Sequence, residues 1–246
     1  MTDLVPLELN PELDIADLGA QLRRDGRVRL RRVFTRGAPE LYHYLEASED
    51  WIQLVNHETG AHELAWNDWR RPGARRRREL EREMFARAID DFQYSYAALR
   101  IPAADEHDEN PVLTALSDLM RGKAMQALLE GVTGLVAPSF TDGQVTAYGP
   151  GDFLTGHDDD LADSGRKVAF VLGLTPQWRL EWGGLLLFHE LGGVDCAGLI
   201  PQFNTLDLFS IPRYHSVSMV TRAAPRRRFS VTGWLSVAGG IAPASR

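Results

Sequence analysis

From about Gly143 onward, the chain is a series of short apolar runs separated by turn residues. Gly, Pro and Asn, which favour turns and interrupt helices, stand between the runs. Regular short strands of this kind are typical of a β-sandwich or barrel, in which sheets close around one core. The predicted strands cover 144–148, 167–174, 184–188, 205–210, 214–220 and 227–236.

The preceding residues, 1–142, have a different sequence pattern and are predicted to be mainly helical. Apolar residues recur at helical spacing, with Pro39 suited to a first turn and Gly26 and Gly134 to helix ends. A short strand at 28–30 and a hairpin within 51–66 interrupt them. The predicted helices cover 14–24, 38–45, 112–120 and 123–132, and an exposed loop is expected at 102–111. One domain, a helical layer packed on a β-sandwich, is favoured over two.

Composition excludes several classes of protein. Of 246 residues, 44% are hydrophobic and 25% charged, as in ordinary globular proteins, and the net charge of −7 disfavours binding nucleic acid by neutralising phosphates. No apolar run approaches the ~18 residues that cross a membrane, and the amino terminus lacks a signal peptide's layout. Cys196 is alone, so neither a disulfide framework nor a thiolate zinc cluster is expected. We therefore expect a cytoplasmic protein without nucleic-acid or membrane partners, in an oligomeric state that the sequence leaves open.

An arginine-rich stretch at 70–82 is interpreted as the solvated start of a helix rather than a nucleic-acid contact. Acidic residues follow it closely, and Leu80, Phe85 and Ile89 mark an amphipathic face. The aromatic residues at 92–96 are interpreted as core side chains.

The candidate metal ligands follow a glycine-punctuated turn that begins after Tyr148. His157 and Asp159 are two residues apart, and in an extended strand such residues point to the same face. One imidazole nitrogen and one carboxylate oxygen are therefore predicted to bind one metal ion. His215, in another strand-like run, is the best candidate for a third ligand. Two histidines and one carboxylate form the facial arrangement that holds non-haem Fe(II) with open positions.

A His-x-Asp pattern alone is weak, and a surface strand end is the alternative. His189 is a rival third ligand, but it follows three leucines and a phenylalanine and is interpreted as the end of a buried strand. The remaining histidines have no partner at ligand spacing; they are His43, His57, His62 and His107.

Arg228 is the candidate for binding an anion beside the metal. A loop at 222–225 predicts a hairpin in which His215 and Arg228 share a face, on the order of 13 Å apart at ~3.3 Å per residue. A dicarboxylate that chelates the metal at one end would reach the guanidinium with the other. Arg227 would point to the opposite face and Arg226 would lie at the turn, and the alternative for Arg228 is a surface strand arginine.

Taken together, these residues resemble the 2-oxoglutarate- and Fe(II)-dependent dioxygenases, specifically the prolyl 4-hydroxylase-like branch. The resemblance covers roughly 145–237. It rests on Tyr148, Gly151-Asp-Phe-Leu, His157-Asp-Asp159, Arg166, Glu181-Trp-Gly-Gly184-Leu-Leu-Leu, Pro201-Gln-Phe-Asn204, Phe209, His215-Ser-Val217 and Arg228-Phe-Ser-Val-Thr-Gly-Trp234.

The resemblance implies a double-stranded β-helix (a jelly roll, cupin-like) as catalytic core at 143–240, with 1–142 as a helix-rich support within a single domain, 1–246. It maps the metal ligands onto His157, Asp159 and His215. It places the 2-oxoglutarate C5 carboxylate on Arg228, with Tyr148 as its hydroxyl partner. The implied cofactors are Fe(II), 2-oxoglutarate as co-substrate and O₂, with ascorbate as an optional reductant.

The implied activity is hydroxylation of an unactivated C–H bond, with a prolyl residue in a peptide or protein as the first choice of substrate. A small molecule or free amino acid is the alternative, and a non-catalytic sandwich that binds metal and 2-oxoglutarate is a third hypothesis. One departure stands out, because relatives often carry a tyrosine where this chain has Gly173. We expect an open lobe of the cavity beside Gly173.

Overall fold

Strands and a few helices make up the part of the chain that this computed structural model describes, namely residues 5–237 apart from 72, 74, 104, 105, 107–109, 163 and 191. The helices are α1 (Ile15–Asp25), α2 (Ala38–Ala47), α3 (Trp66–Arg70), α4 (Arg75–Arg87), α5 (Pro111–Arg121) and α6 (Lys123–Thr133). The strands are β1 (Glu8–Leu9), β2 (Arg27–Arg31), β3 (Phe34–Arg36), β4 (Ile52–His57), β5 (Gly60–Ala65), β6 (Tyr94–Arg100), β7 (Ser139–Tyr148), β8 (Phe153–His157), β9 (Arg166–Leu174), β10 (Leu186–His189), β11 (Cys196–Leu199), β12 (Phe203–Ser210), β13 (His215–Val217) and β14 (Arg228–Ser236).

Twelve of these strands form one antiparallel sheet that curls into two arms. One arm has the order β2-β12-β9-β14-β7, and the other has the order β11-β10-β13-β8. Strand β6 joins them, because its first residues pair with β8 and its later residues pair with β7. The predicted jelly roll is confirmed.

The main core lies between the first arm and the helices. Strand β9 shows the division between its two faces: Leu172 and Leu174 are fully buried in this core, whereas Ala169 and Val171 belong to a cluster on the other face. Alternation of this kind is the period-2 pattern of a strand buried on both faces. The face of the sheet that points away from the main core is therefore available to line a cavity.

The predicted helices of the amino-terminal half are present, and their ends follow ordinary capping chemistry. Asp14 accepts a hydrogen bond from the Asp17 backbone N–H at the start of α1, and Gly26 ends the helix at φ 65°. Gly134 ends α6 in the same left-handed conformation, at φ 70°. None of the described helices combines the length and apolar character needed to cross a membrane.

Two expectations for the amino-terminal half need correction. The half contains strands that were not predicted, namely β6 and the short strands β1 and β3. In α4 the buried residues are Leu80 and Met84, whereas Phe85 and Ile89 are exposed. The loop expected at 102–111 falls largely on residues outside the described part of the chain. The arginines of α4 do form solvated ion pairs, such as that of Arg75 with Glu79 at 2.7 Å.

A buried ion pair ties the amino-terminal strand β2 to β12. The Arg29 guanidinium donates to both carboxylate oxygens of Asp207, at 2.6 and 2.7 Å, and to the Ile200 carbonyl at 2.9 Å. The two side chains are 12% and 5% exposed. A two-bond arginine–carboxylate pair removed from water depends on both partners, since either alone would leave an uncompensated charge.

We expect Arg29→Met to lower the free energy of unfolding by about 3–5 kcal/mol, because Asp207 would remain buried without its cation. Urea denaturation measures the change. The exposed pair of Arg24 with Asp25 is the matched control, since its side chains are 65% and 47% exposed. Arg24→Met should change the free energy of unfolding little, because the pair is exposed to solvent, and equal losses in the two variants would contradict this account.

Candidate active site

Two neighbouring strands of the second arm bring the three candidate metal ligands together. His157 ends β8 and His215 begins β13, and the two residues are paired across the ladder. The Nε2 atoms of His157 and His215 each lie 3.4 Å from an oxygen of Asp159. One ligand atom of each of the three residues lies within 4.8 Å of the ligand atoms of the other two. No other group of three histidine, cysteine or acidic side chains in the described ranges has this geometry.

An irregularity in the β8–β13 ladder aims His157 at its partner. His215 pairs with His157, but Val217 pairs with Leu154, so β8 carries one extra residue between the two pairs. Bulges of this kind re-aim a side chain and are frequent beside functional sites. Gly156 lies in the bulge, where a Cβ atom would stand 2.3 Å from the Tyr214 ring. Glycine is therefore required for this close approach.

Asp159 reaches the site by a turn rather than along a strand, which corrects the predicted geometry. Strand β8 ends at His157, and Asp159 has a φ of 62°, in the left-handed region that Asp tolerates better than most residues. Asp158 is exposed and accepts a hydrogen bond from the Asp160 backbone N–H. The two-residue spacing was informative, but the extended conformation inferred from it was wrong.

Hydrogen bonds to backbone carbonyls orient both imidazoles. His157 Nδ1 lies 3.1 Å from the Thr155 oxygen, and His215 Nδ1 lies 2.8 Å from the Arg213 oxygen. A carbonyl accepts only, so Nδ1 carries the proton and the Nε2 lone pair faces Asp159. Such support fixes the tautomer of metal-binding histidines.

The charges around the site favour ligand-competent protonation states. Burial lowers the pKa of His215 to about 4, with the charge of His157 acting in the same direction. Burial acts to raise the pKa of Asp159, but the neighbouring imidazoles of His157 and His215 hold that pKa below its ordinary value. A neutral imidazole and an ionised carboxylate are the forms that bind a divalent cation.

Arg228 supplies a buried cation to the same cavity, but not through the predicted hairpin. That hairpin is wrong, because β13 pairs with β8 and β10, whereas β14 pairs with β7 and β9. His215 and Arg228 nevertheless line one cavity of about 220 Å³, since the curled sheet turns the inner faces of its two arms toward each other. Arg228 stands directly opposite Tyr148, with its guanidinium carbon 5.3 Å from that ring.

The Arg228 guanidinium has unused hydrogen-bonding capacity. The residue is 4% exposed, and its Nη1 atom has no hydrogen-bond partner among the described residues. Burial lowers the pKa of Arg228, although an arginine remains charged at neutral pH. An unpaired buried cation is costly, so the cavity is suited to an anion.

Strand β6 and Phe92 just before it contribute an aromatic wall to the cavity, whereas these aromatic side chains were predicted to lie in the core. Phe92 and Tyr94 line the cavity, with the Phe92 ring 5.4 Å from that of His157. Tyr96 stacks on Tyr148 at 5.1 Å, and its hydroxyl accepts a hydrogen bond from Gln144 Nε2 at 3.0 Å. The available sequence signal was the two-residue spacing of Tyr94 and Tyr96, which places both side chains on one face of the strand.

The Tyr96 hydroxyl proton remains available to a bound molecule. Its oxygen accepts from Gln144, and no acceptor for its proton lies among the described residues. Burial raises the pKa of Tyr96 to about 12, so the phenol is neutral and can donate.

Comparison with known proteins identifies the region that carries this site. Residues 143–236 match the family described as the 2OG-Fe(II) oxygenase superfamily. That range contains all three candidate ligands and Arg228. Residues 143–236 are therefore similar to a 2OG-Fe(II) oxygenase domain. The predicted resemblance is thereby confirmed.

Individual relatives agree with this assignment. The chain is 34% identical to prolyl 3-hydroxylase OGFOD1 of Xenopus laevis over 116 residues, and 32% identical to that of Mus musculus over 133 residues. These alignments cover 43% and 51% of this chain, but only 22% and 24% of the relatives. The chain thus spans about a quarter of the length of the curated relatives that it matches.

A solved structure extends the similarity to the whole fold. A 2OG-Fe(II) oxygenase family oxidoreductase from Burkholderia pseudomallei has a TM-score of 0.67 over 98% of this chain and 100% of its own, at 16% identity. The amino-terminal elements therefore belong to the same architecture as the oxygenase domain.

The rival histidine of the oxygenase domain lies outside the ligand cluster. His189 ends β10, as predicted, and its Nε2 is 3.1 Å from the Ser216 hydroxyl. In the amino-terminal half, His57 contacts Glu83 at 2.8 Å and stacks with His62. His107 lies outside the described residues.

The open lobe expected beside Gly173 is wrong. A Cβ atom there would stand 2.3 Å from the Gln202 carbonyl oxygen and 2.8 Å from the Thr205 hydroxyl. The backbone around Gln202 fills the position that a side chain would occupy, and Gly173 does not line the cavity. Glycine here permits a close approach of two backbone segments. The phenol that lines the cavity comes instead from Tyr96 on β6.

We expect His157→Ala and His215→Ala each to lower Mn(II) affinity by at least about tenfold, because each removes one of three ligands. Calorimetric titration of the full chain with Mn(II) measures the affinity. His189→Ala is the matched control and should bind Mn(II) as the unaltered protein does. A loss on replacing His189, without one on replacing His215, would overturn the ligand assignment.

Tyr96→Phe is expected to weaken binding of the co-substrate while leaving metal affinity unchanged, because it removes one hydrogen-bond donor and keeps the stacked ring. One donor to a charged group corresponds to about 1.5–3 kcal/mol, or roughly ten- to a hundredfold. Titration of the Mn(II)-loaded protein with 2-oxoglutarate measures the loss. Tyr94→Phe, on the same strand face, is the control, and equal effects of the two variants would count against a specific donor.

Proposed function

We propose that this chain is an Fe(II)- and 2-oxoglutarate-dependent dioxygenase that hydroxylates a C–H bond of a prolyl residue in a peptide or protein. The observation that carries the proposal is the shared cavity, in which a His-Asp-His cluster faces a buried arginine without a hydrogen-bond partner for one of its nitrogens. Each end of 2-oxoglutarate would thus meet a complementary charge.

The donor set fits Fe(II). Two imidazole Nε2 atoms and one carboxylate form the facial arrangement that non-haem Fe(II) oxygenases use. We assign the metal to His157, Asp159 and His215. Asp159 lies beside both imidazoles, so a bound cation would separate the three donors and satisfy all of them.

The rest of the cavity fits 2-oxoglutarate. We assign its distal carboxylate to Arg228, whose free Nη1 and planar guanidinium suit two-bond recognition of a carboxylate. Tyr148 lies opposite Arg228 on β7 and packs against the guanidinium. Thr146 and Ser230 line the same wall and hydrogen-bond to each other at 2.8 Å. We assign to the Tyr96 hydroxyl, which lines the same cavity, a hydrogen bond to the bound co-substrate.

When bound, Fe(II) and 2-oxoglutarate supply the oxidising chemistry, in which one atom of O₂ enters the substrate and the other enters succinate as CO₂ is released. The protein contributes orientation and exclusion of water. His157, Asp159 and His215 would hold the metal. Arg228 fixes the far end of the co-substrate, and the apolar lining keeps the reacting centre dry.

Prolyl specificity is the finer part of the proposal. The names of the curated relatives support it, since both are prolyl 3-hydroxylases. Phe92 and Tyr94 add aromatic surface beside His157, on which the flat apolar face of a pyrrolidine ring would pack.

We also propose that 143–240 acts as the catalytic core and 1–142 as its support within one domain. The contacts of β2 with β12 and of β6 with β7 and β8 support this arrangement. A reducing compartment such as the cytoplasm is the proposed setting, which the exposed and unpaired Cys196 supports.

The deciding experiment is a succinate-release assay with Fe(II), 2-oxoglutarate and ascorbate, run across prolyl peptides, free proline and other free amino acids. Substrate-dependent succinate together with a 16-dalton mass gain on a prolyl peptide supports the proposal. A gain on free amino acids alone would favour the small-molecule alternative. Binding of 2-oxoglutarate without any consumption would indicate a non-catalytic protein.

Arg228→Met should raise the KM for 2-oxoglutarate by at least about tenfold and leave Mn(II) affinity unchanged, because it removes a charged contact worth about 1.5–3 kcal/mol. Steady-state kinetics at varied 2-oxoglutarate measures the effect. Arg226→Met, two residues earlier and outside the cavity, is the control. A similar rise in both variants would contradict the assignment of the distal carboxylate.

A further inference from the structure

A second cavity lies on the other side of the sheet from the active site. Its volume is about 360 Å³, the space of roughly twelve water molecules at ~30 Å³ each. It lies against the turn 149–152 that joins β7 to β8. The other walls come from the helical residues Trp66, Trp69, Arg70 and Arg77.

Arg227 is the residue that makes this cavity suited to a ligand. It immediately precedes Arg228 at the start of β14 and, as predicted, does not line the cavity that Arg228 lines. Its guanidinium carbon lies 4.9 Å from the Trp51 ring, 4.7 Å from the Trp66 ring and 5.0 Å from the Phe229 ring. Its buried Nη1 atom has no hydrogen-bond partner among the described residues.

The acidic residues of the cavity are already engaged elsewhere. Asp152 accepts hydrogen bonds from Gln53, Ser95 and the Gly149 backbone N–H, at 3.0, 2.6 and 2.8 Å. Glu81 accepts from Arg77 at 2.8 Å. Neither carboxylate forms an ion pair with Arg227 within the described structure, so its positive charge is not neutralised by a direct partner.

A second arginine shares the cavity and adds to the excess of positive charge. Arg70 lies over the Trp66 ring at 5.7 Å, on the ring that Arg227 also contacts. Burial lowers the pKa of Arg227 to about 10, with the charge of Arg70 acting in the same direction. Arg227 therefore stays protonated at neutral pH, and an anion between the two guanidinium groups would relieve their repulsion.

We propose that this second cavity binds a small aromatic carboxylate, with its carboxylate on Arg227 and Arg70 and its ring against Trp66 and Trp69. The lining carries three arginines and two carboxylates, which leaves a single positive charge to be matched and so favours a monoanion over a phosphate dianion. Because Arg77 covers the Trp69 ring at 4.8 Å and Arg227 covers the Trp66 ring at 4.7 Å, an aromatic body would pack against the edges of these rings. The volume limits the ligand to roughly a dozen non-hydrogen atoms.

The test uses the full-length protein with its active site filled by saturating Mn(II) and 2-oxoglutarate, so that Arg228 is not available to the probe. Benzoate is titrated in ligand-observed saturation-transfer NMR, beside its neutral isostere benzamide and the dianion phenyl phosphate. We expect saturable binding of benzoate, with at least about tenfold weaker binding of benzamide and weaker binding of phenyl phosphate.

Arg227→Met removes the charge while keeping an apolar stem among the three rings, and should weaken benzoate binding at least about tenfold. Arg71→Gln removes the same charge from a neighbouring side chain that is 74% exposed, and should leave benzoate binding unchanged. Because the half-buried Arg227 also packs against three rings, the thermal unfolding of this variant is checked. Arg70→Gln, at an exposed residue, is the second variant and should weaken binding several-fold.

Several outcomes would overturn the proposal. Equal binding of benzamide and benzoate would show an apolar cavity without anion recognition. Tighter binding of phenyl phosphate would overturn the monoanion argument. Unchanged affinity in both the Arg227 and Arg70 variants, or no saturable binding of benzoate at all, would mean that the aromatic rings alone accommodate Arg227.

Discussion

The alignment of β8 with β13 is the constraint on which the candidate active site depends. It sets His157 opposite His215, and the extra residue in β8 rotates His157 toward its partner. Backbone carbonyls then fix both rings, and the left-handed Asp159 turns its carboxylate back between them. A slip of one residue in this ladder would reverse the faces of the side chains and separate the ligands. Gly156, which admits the Tyr214 ring, belongs to the same arrangement.

Some buried charges in this protein are paired with each other and hold strands together. Others have a buried nitrogen without a hydrogen-bond partner in the described structure and are suited to a ligand. The pair of Arg29 and Asp207 is fully matched and joins two strands. Arg228 and Arg227 are consecutive residues that face opposite sides of the sheet, and each has a buried Nη1 without a partner in the described structure. A fold that leaves a buried cation unmatched has a cost, which a bound anion would offset. We therefore place a ligand on each side of the sheet.

The sequence was sufficient for the jelly roll and for the identity of the clustered residues. Strand periodicity, glycine turns and the two-residue spacing of His157 and Asp159 are local signals, and each described a feature that is present. Apart from the local turn at Asp159, the failures concern long-range pairing. The hairpin that linked His215 to Arg228 assumed that consecutive strands pair, whereas the jelly roll sends β13 and β14 to different arms. The prediction of an open lobe beside Gly173 failed for a similar reason. The Gln202 backbone, which fills that space, is remote in sequence from β9.

Strand β6 has a consequence for how the boundaries of this protein are drawn. The similarity to the oxygenase superfamily begins at residue 143, yet β6 pairs with both β7 and β8 and carries Tyr96 into the cavity. A fragment cut at the similarity boundary would expose the hydrogen-bonding edges of two strands and invite edge-to-edge aggregation. The unit that homology recognises is thus smaller than the unit that folds. Exchanging the matched segment between relatives at that boundary would transfer the candidate ligands but leave one wall of their cavity behind.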